Sequence, residues 1–189
     1  MGAGILPVTI SNGILLFLMG KERSNNLWCD FGGSKENDEH PIQTAVREGG
    51  EELNGLLGLN DELHNTITDS MIIPVEFNRY TSFLFYIHQD KNLVNTFEKN
   101  NEFAETYLNS LIDKKHNGLF EKNEIKWYSI NELKTNIKQF RPHYIPIINT
   151  IIYHENFIKK SALQYNRIKF NEYKKNKKFK LSNKTRKQN

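Results

Sequence analysis

A single cysteine, Cys29, stands among the 189 residues, which excludes an internal disulfide framework and agrees with a reducing compartment. No neighbouring histidine marks it as a thiolate nucleophile, so it reads as a small, half-buried residue within Trp28-Cys29-Asp30-Phe31. The histidines His40, His64, His88, His116, His143 and His154 have no paired ligand spacing and no companion cysteines, which excludes a zinc site. Long apolar runs are missing too. Stretches such as Ile14 to Met19 fall far short of the roughly 20 residues a membrane helix needs. No basic-then-apolar signal segment opens the chain, and Leu6 stands where a myristoylation motif after Met1-Gly2 wants Ser or Thr. These absences predict a soluble, intracellular, cytoplasmic protein. There are no internal repeats, and the length allows one domain with a good core plus an appendage.

Acidic residues are absent from Tyr173 to Asn189, which holds eight Lys or Arg, among them Lys174, Lys175, Lys177, Lys178 and Lys180. The remainder has 18 basic against 22 acidic residues, so a negative body carries a positive run. Such a block reads equally as a disordered, solvated tail or as an arm that contacts nucleic acid, with a nuclear address as a third option.

What the sequence does have is concentrated between Gly33 and Gly55. On a wheel of roughly 100° per residue, Glu48, Glu51 and Glu52 share one side of a helix, and Ile42, Val46, Gly49, Gly50 and Leu53 share the other. Like charges three and four residues apart destabilise a helix by roughly 0.2–0.5 kcal/mol per pair, so the cluster needs a compensating partner. A hard divalent cation, Mg²⁺ or Mn²⁺, suits carboxylate oxygens.

This segment resembles the Nudix box, in which Gly is followed after five residues by Glu and after seven more by Arg-Glu-apolar-x-Glu-Glu-x-Gly-apolar. Gly33, Glu39, Arg47, Glu48, Glu51 and Glu52 keep that spacing. At average residue usage, six such matches arise by chance in roughly one chain of this length in a hundred thousand. Three positions depart. Gly49 replaces an apolar residue, and Asn54 and Gly55 replace Gly and an apolar residue; a one-residue insertion would restore the ending as Gly55-Leu56. Each glycine inside a helix costs roughly 1 kcal/mol against alanine, and the location of Gly49 and Gly50 on the packing side predicts close approach of the helix to a sheet.

The flanking pattern supplies the setting. Strands are expected at Ile5 to Ile10 and Ile14 to Met19, joined by a Ser11-Asn12-Gly13 turn, with a short strand around Trp28 to Phe31. Gly32-Gly33 is expected to form a tight turn into the acidic helix, which Pro41 opens. Met71 to Phe77 and Arg79 to His88 read as strands, with Phe83, Phe85 and Ile87 on one core-facing side. Asn95 to Lys114 reads as a helical insertion able to shape a pocket. Ile125, Trp127 and Ser129 alternate as a last strand before a helix near Asn131-Glu132-Leu133, and a long helix is expected from Pro142 to about Tyr173.

The resemblance implies a Nudix-type α/β/α sandwich with a mixed sheet, in the α/β class. It covers roughly Gly4 to Ile158, which divides the chain into a domain over 1–158, a C-terminal helical extension over 159–172 and a basic, disordered tail over 173–189. It further implies a metal-dependent pyrophosphohydrolase, in which water attacks a phosphorus of a nucleoside diphosphate joined to another group. Glu48, Glu51 and Glu52 would hold Mg²⁺ or Mn²⁺ with the Gly33 carbonyl, Glu39 would support the cluster, and Arg47 would orient it. The general base would be a box acid such as Glu51 or a later-loop acid, with Glu121 ahead of Glu124 and with Glu102 and Glu105 on the insertion as further candidates.

The basic run, and Trp28 if exposed, lean the substrate toward an RNA 5′ end, as in mRNA decapping. A dinucleotide, nucleotide sugar or diphosphoinositol phosphate is the small-molecule alternative, and a non-catalytic RNA-binding Nudix relative is the alternative of another class.

Overall fold

The computed structural model describes residues 1–110 and 120–168. The basic run, including Lys174, Lys175, Lys177, Lys178 and Lys180, lies outside the described residues, as does the expected end of the last helix at Tyr173; the helical insertion expected to reach Lys114 ends instead at Tyr107, with Leu108 as its C-cap.

Strands β1 (Gly2–Ser11) and β2 (Ile14–Glu22) form the expected antiparallel hairpin, in which Ser11 pairs with Ile14. Asn12 and Gly13 have φ of 50° and 76°, the left-handed pair that a tight hairpin turn demands. The anticipated third strand is two, β3 (Trp28–Cys29) and β4 (Phe31–Ser34), separated at Asp30. Helix α1 (Pro41–Glu52) follows, opened by Pro41 as expected, and α2 (Asn60–Asp69) comes next. Then come β5 (Met71–Phe77), β6 (Tyr80–Tyr86), α3 (Leu93–Tyr107), β7 (Lys122–Ser129), α4 (Ile130–Thr135) and α5 (Ile145–Tyr153). The single long helix expected after Pro142 is broken at His154, beyond which residues 155–168 are helical.

The sheet has seven strands in a mixed arrangement. β1 is its centre, running parallel to β6 and antiparallel to β2 and β4. Both faces are covered, so β1 is a nearly continuous buried run. Its odd residues Ala3 and Ile5 join one core with Leu18, Phe85, Ile125 and the apolar sides of α1, α2 and α3. Its even residues Leu6 and Val8 join the other with Phe17, Leu84, Tyr128, α4, α5 and Ile158 and Ala162 of the following helix. Helices therefore lie on both sides of a mixed sheet, an α/β/α sandwich. Phe83, Phe85 and Ile87 face the α1 side as packing residues. Among the described residues no helix is long and apolar enough to cross a membrane.

Candidate active site

Gly32 and Gly33 do not form the tight turn that the sequence suggested. Both are extended within β4, opposite Gly4 and Ala3 of β1, and neither has a positive φ. Close approach is what requires glycine there. A Cβ on Gly33 would lie 2.5 Å from Glu48 Oε1, so the carboxylate rests directly on the strand backbone. A Cβ on Gly32 or Gly4 would instead collide with the Tyr80 hydroxyl, which passes these two glycines to donate to Asp30 Oδ1 at 2.8 Å.

On α1 the box residues are held by one another. Arg47 Nε donates to Glu39 Oε1 at 2.9 Å and Nη2 to Glu39 Oε2 at 3.2 Å, a two-point grip of the kind a planar guanidinium favours. Thr44 Oγ1 and the Glu36 amide also donate to Glu39 Oε2. The Arg47 hydrogen bond, ahead of the others, holds the Glu39 carboxyl down at about 2. The remaining nitrogen, Nη1, lies 3.0 Å from Glu48 Oε1 and 3.5 Å from Glu51 Oε2. Arg47 thus bridges Glu39 on one side to Glu48 and Glu51 on the other. Burial raises the Glu48 and Glu51 carboxyls despite Arg47, so both gain from additional positive charge.

Glu52 departs from the single acidic face expected. Only 2% exposed, it accepts from the Gly32 amide at 2.8 Å and lies 3.2 Å from Lys122 Nζ. Lys122 is itself fully buried, donating also to Glu22 Oε1 and Cys29 Sγ. A register shift between Lys21 and Glu22 turns this pair of strands, and Gly20 gives room to the lysine stem, since a Cβ there would meet Lys122 Cδ at 3.0 Å. Burial pushes the Glu52 carboxyl up, with Lys122 opposing, and its neighbouring carboxylates keep Lys122 protonated. Cys29 is buried, and burial pushes its thiol up to about 12, in keeping with an inert packing residue.

Among the described residues no three His, Cys, Asp or Glu side chains converge as a ready-made metal site, because Arg47 and Lys122 divide the three glutamates between them. The donor chemistry nevertheless suits a hard cation: Glu48 and Glu51 are crowded carboxylates around Arg47, and a glycine at 33 leaves room for Glu48 against the strand backbone.

The later-loop candidates separate. Glu121 is exposed, and its charge helps raise both Glu48 and Glu51, so it belongs to the box side. Glu124 does not. It pairs with Lys21 at 3.2 Å and acts on Tyr128, on the opposite face of the sheet. Strand alternation is the reason, since Ile125 and Trp127 face α1. Glu105 is taken by Arg23 in an ion pair, and Glu102 is exposed on α3. Trp28 is 5% exposed and packs edge-on against Tyr128, so it offers no open face to a base.

The departures within the box have physical explanations. A Cβ on Gly49 would collide with the Ile5 side chain, placing α1 close against β1 as expected, whereas Gly50 meets Leu59 instead of the sheet. Asn54 has φ 53° and Gly55 φ 72°, so asparagine, which tolerates the left-handed region, fills the glycine position without an inserted residue. Asn54 Nδ2 also donates to Asn101 Oδ1 at 2.7 Å, tying α1 to α3.

Sequence reasoning missed Glu22, Asp30, Arg141 and Lys122. The one available sign was Gly20 inside an apolar strand, which marks a close approach.

No family model matches the sequence, and no curated protein is similar to it. Solved structures are similar in shape. A bifunctional NMN adenylyltransferase/ADP ribose pyrophosphatase from Francisella tularensis, complexed with AMP and a Mn ion, matches with TM-score 0.53 at 16% identity over 81% of this chain and 41% of that one. This chain therefore spans about two fifths of that protein's length. An Ap4A hydrolase from C. elegans matches with TM-score 0.51 at 16% identity over 84% of this chain and 98% of that one. A Nudix hydrolase from M. smegmatis, RenU, is a looser match, with TM-score 0.49 at 12% identity. Such identities speak to fold alone: the chain shares the fold of the first two structures, and its mixed sheet between helical layers, with the glycine-to-glutamate segment on β4 and α1, is the α/β/α sandwich that the Nudix resemblance implied.

Proposed function

We propose that this chain is a Nudix pyrophosphohydrolase, cleaving a phosphoanhydride bond of a nucleoside diphosphate joined to another group by water attack. The supporting observation is the Glu39–Arg47 grip, from which Arg47 reaches Glu48 and Glu51, with Glu48 resting against Gly33. Glu48, Glu51, Glu52 and the Gly33 carbonyl would hold Mg²⁺ or Mn²⁺. The ion would neutralise the phosphate oxygens and lower the pKa of water. Arg47 keeps both carboxylates oriented before substrate arrives, and Lys122 with the Gly32 amide anchors Glu52 from behind. The proton of the attacking water goes to a carboxylate oxygen, of Glu51 or of Glu121, whose charge acts on the same cluster.

The test is product release from capped RNA, triphosphate RNA, ADP-ribose, dinucleoside polyphosphates and diphosphoinositol phosphates, with Mg²⁺ or Mn²⁺. Glu48→Gln and Glu52→Gln are each expected to lower turnover by roughly 10²–10⁴-fold, the range of a lost acid–base or charge-stabilising group. Full metal-dependent turnover in both variants overturns the proposal.

The small-molecule class, ADP-ribose or a dinucleoside polyphosphate, has support from what the two similar structures are named for. An RNA 5′ end is a second reading, favoured by the eight basic residues between Tyr173 and Asn189. Trp28, being buried, lends this reading no stacking surface. Deleting 173–189 should then weaken RNA binding and flatten its salt dependence. Unchanged RNA affinity removes this reading, and tight RNA binding without turnover points to a binding-only relative.

A further inference from the structure

Beside the box lies a cleft of about 360 Å³ whose lining includes Gly33, Asp30, Tyr80, Arg79, Arg141 and His143. Gly33 is shared: its would-be Cβ direction is filled by Glu48, and its backbone borders the cleft. The cleft and the Glu48 carboxylate thus meet at one strand residue, with Glu48 against one face of β4 and the cleft on the Tyr80 side.

The wall of this cleft is cationic. Arg79 sits in the two-residue turn between β5 and β6, where Asn78 has φ 53°, and its carbonyl accepts from the Gly2 amide at 2.8 Å. The backbone is pinned while the exposed guanidinium forms no ion pair among the described residues. Arg141 is pinned likewise, its amide donating to the Trp28 carbonyl at 3.0 Å. Its Nη1 reaches Glu22 Oε1 at 3.0 Å, an oxygen that Lys122 also engages. One carboxylate oxygen thus serves two cations, Cys29 takes a further hydrogen bond from Arg141, and the Arg141 side chain is still 34% exposed to a ligand. His143 stands edge-on to Tyr80 with ring centres 6.4 Å apart. The acid in the floor is occupied, for Asp30 is 1% exposed and accepts from Tyr80 at 2.8 Å and Ser82 at 2.6 Å. Two forked guanidinium donors and an imidazole around an open cleft match a phosphate better than a neutral sugar.

We propose that this cleft takes a second phosphate group of the substrate, beyond the anhydride bond that is cut. The protein then selects multiply phosphorylated substrates, nucleoside polyphosphates or inositol polyphosphates, over ADP-ribose and nucleotide sugars. The selection of substrates rests on the hydrolase reading; the phosphate site itself does not.

Two measurements on the full chain keep these apart. Calorimetric titration with inorganic tripolyphosphate in EDTA reads the site alone, and Arg79→Ala and Arg141→Lys are each expected to weaken binding about tenfold. Affinity unchanged in both variants overturns the proposal, since the anion then binds elsewhere, as on the basic run. In the kinetic arm, Arg79→Ala should lower kcat/KM about tenfold for a dinucleoside tetraphosphate or a diphosphoinositol phosphate, with less than about a twofold change for ADP-ribose. Whichever of the two shows the dependence identifies the source of the phosphate, and equal loss on every substrate overturns the selectivity. Absence of any turnover would sink the hydrolase reading and leave the titration to decide the site.

Discussion

Lys122 is fully buried between Glu22 and Glu52, and its ammonium is the group that makes a buried Glu52 tolerable. Removing one partner of such a cluster leaves uncompensated charge in a poorly solvated place. Lys122→Met is therefore expected to destabilise the fold by about 3–5 kcal/mol, and Lys122→Met/Glu52→Gln by clearly less, as read from urea unfolding. Equal losses would mean that the lysine acts through packing. Asp30 tests burial itself. Desolvation lifts its carboxyl from 3.8 to about 6 although Ser82 and Tyr80 donate to it. The folded protein thus holds this proton more tightly than the unfolded chain. Its contribution is full below about pH 3.8 and is lost as pH rises through about 6. Asp30→Asn should remove a slope worth about 3 kcal/mol from the pH dependence of unfolding. An identical pH profile in the variant would contradict it. At this scale the spacing of Glu39 and Arg47 was readable, because they are eight residues apart on one local segment. Glu52 with Lys122 was not, because their meeting depends on β7 reaching the back of α1.

At the scale of elements, α1 shows how a departure from pattern becomes a packing rule. Gly49 leaves no space for a side chain beside Ile5, so the apolar residue that the Nudix box prefers is excluded here. Gly49→Ala is expected to cost about 1–3 kcal/mol by overpacking. In Gly49→Ala/Ile5→Val the loss should fall short of the sum, a coupling that thermal or urea unfolding can measure. Strict additivity would show that the two do not touch. The strands and α1 were legible from period and turn chemistry, as with Asn12-Gly13. Helix α2 was overlooked, since Asn60–Asp69 buries only Leu63 and Ile67 and shows little apolar period. The Gly32-Gly33 pair was misassigned to a turn for a related reason. A glycine serves equally for a bend and for a close neighbour, and only the strand pairing with Ala3 and Gly4 distinguishes them.

For the molecule as a whole, the two-sided sheet brings the β4–α1 segment, Lys122 from β7 and the Arg79 turn to one region. A ligand that binds only the folded state stabilises all of it together. Mn²⁺ at a hundredfold excess over its Kd should add about 2.7 kcal/mol, raising Tm by about 5–10 °C, and Glu48→Gln should abolish most of that rise. A Tm that does not respond to Mn²⁺ would count against the box as a cation site.

By itself the sequence determined what is local: the strand and helix periods, the glutamates at helical spacing, and the arginine beside them at Arg47. Those follow from backbone geometry within a dozen or so residues. Tertiary structure alone decided that Glu52 turns inward, that Glu124 lies on the far face and Glu121 on the near one, and that Trp28 is closed to solvent. Each of these depends on register and strand alternation between segments far apart in the chain, where a shift of one residue moves a side chain to the other face of the sheet.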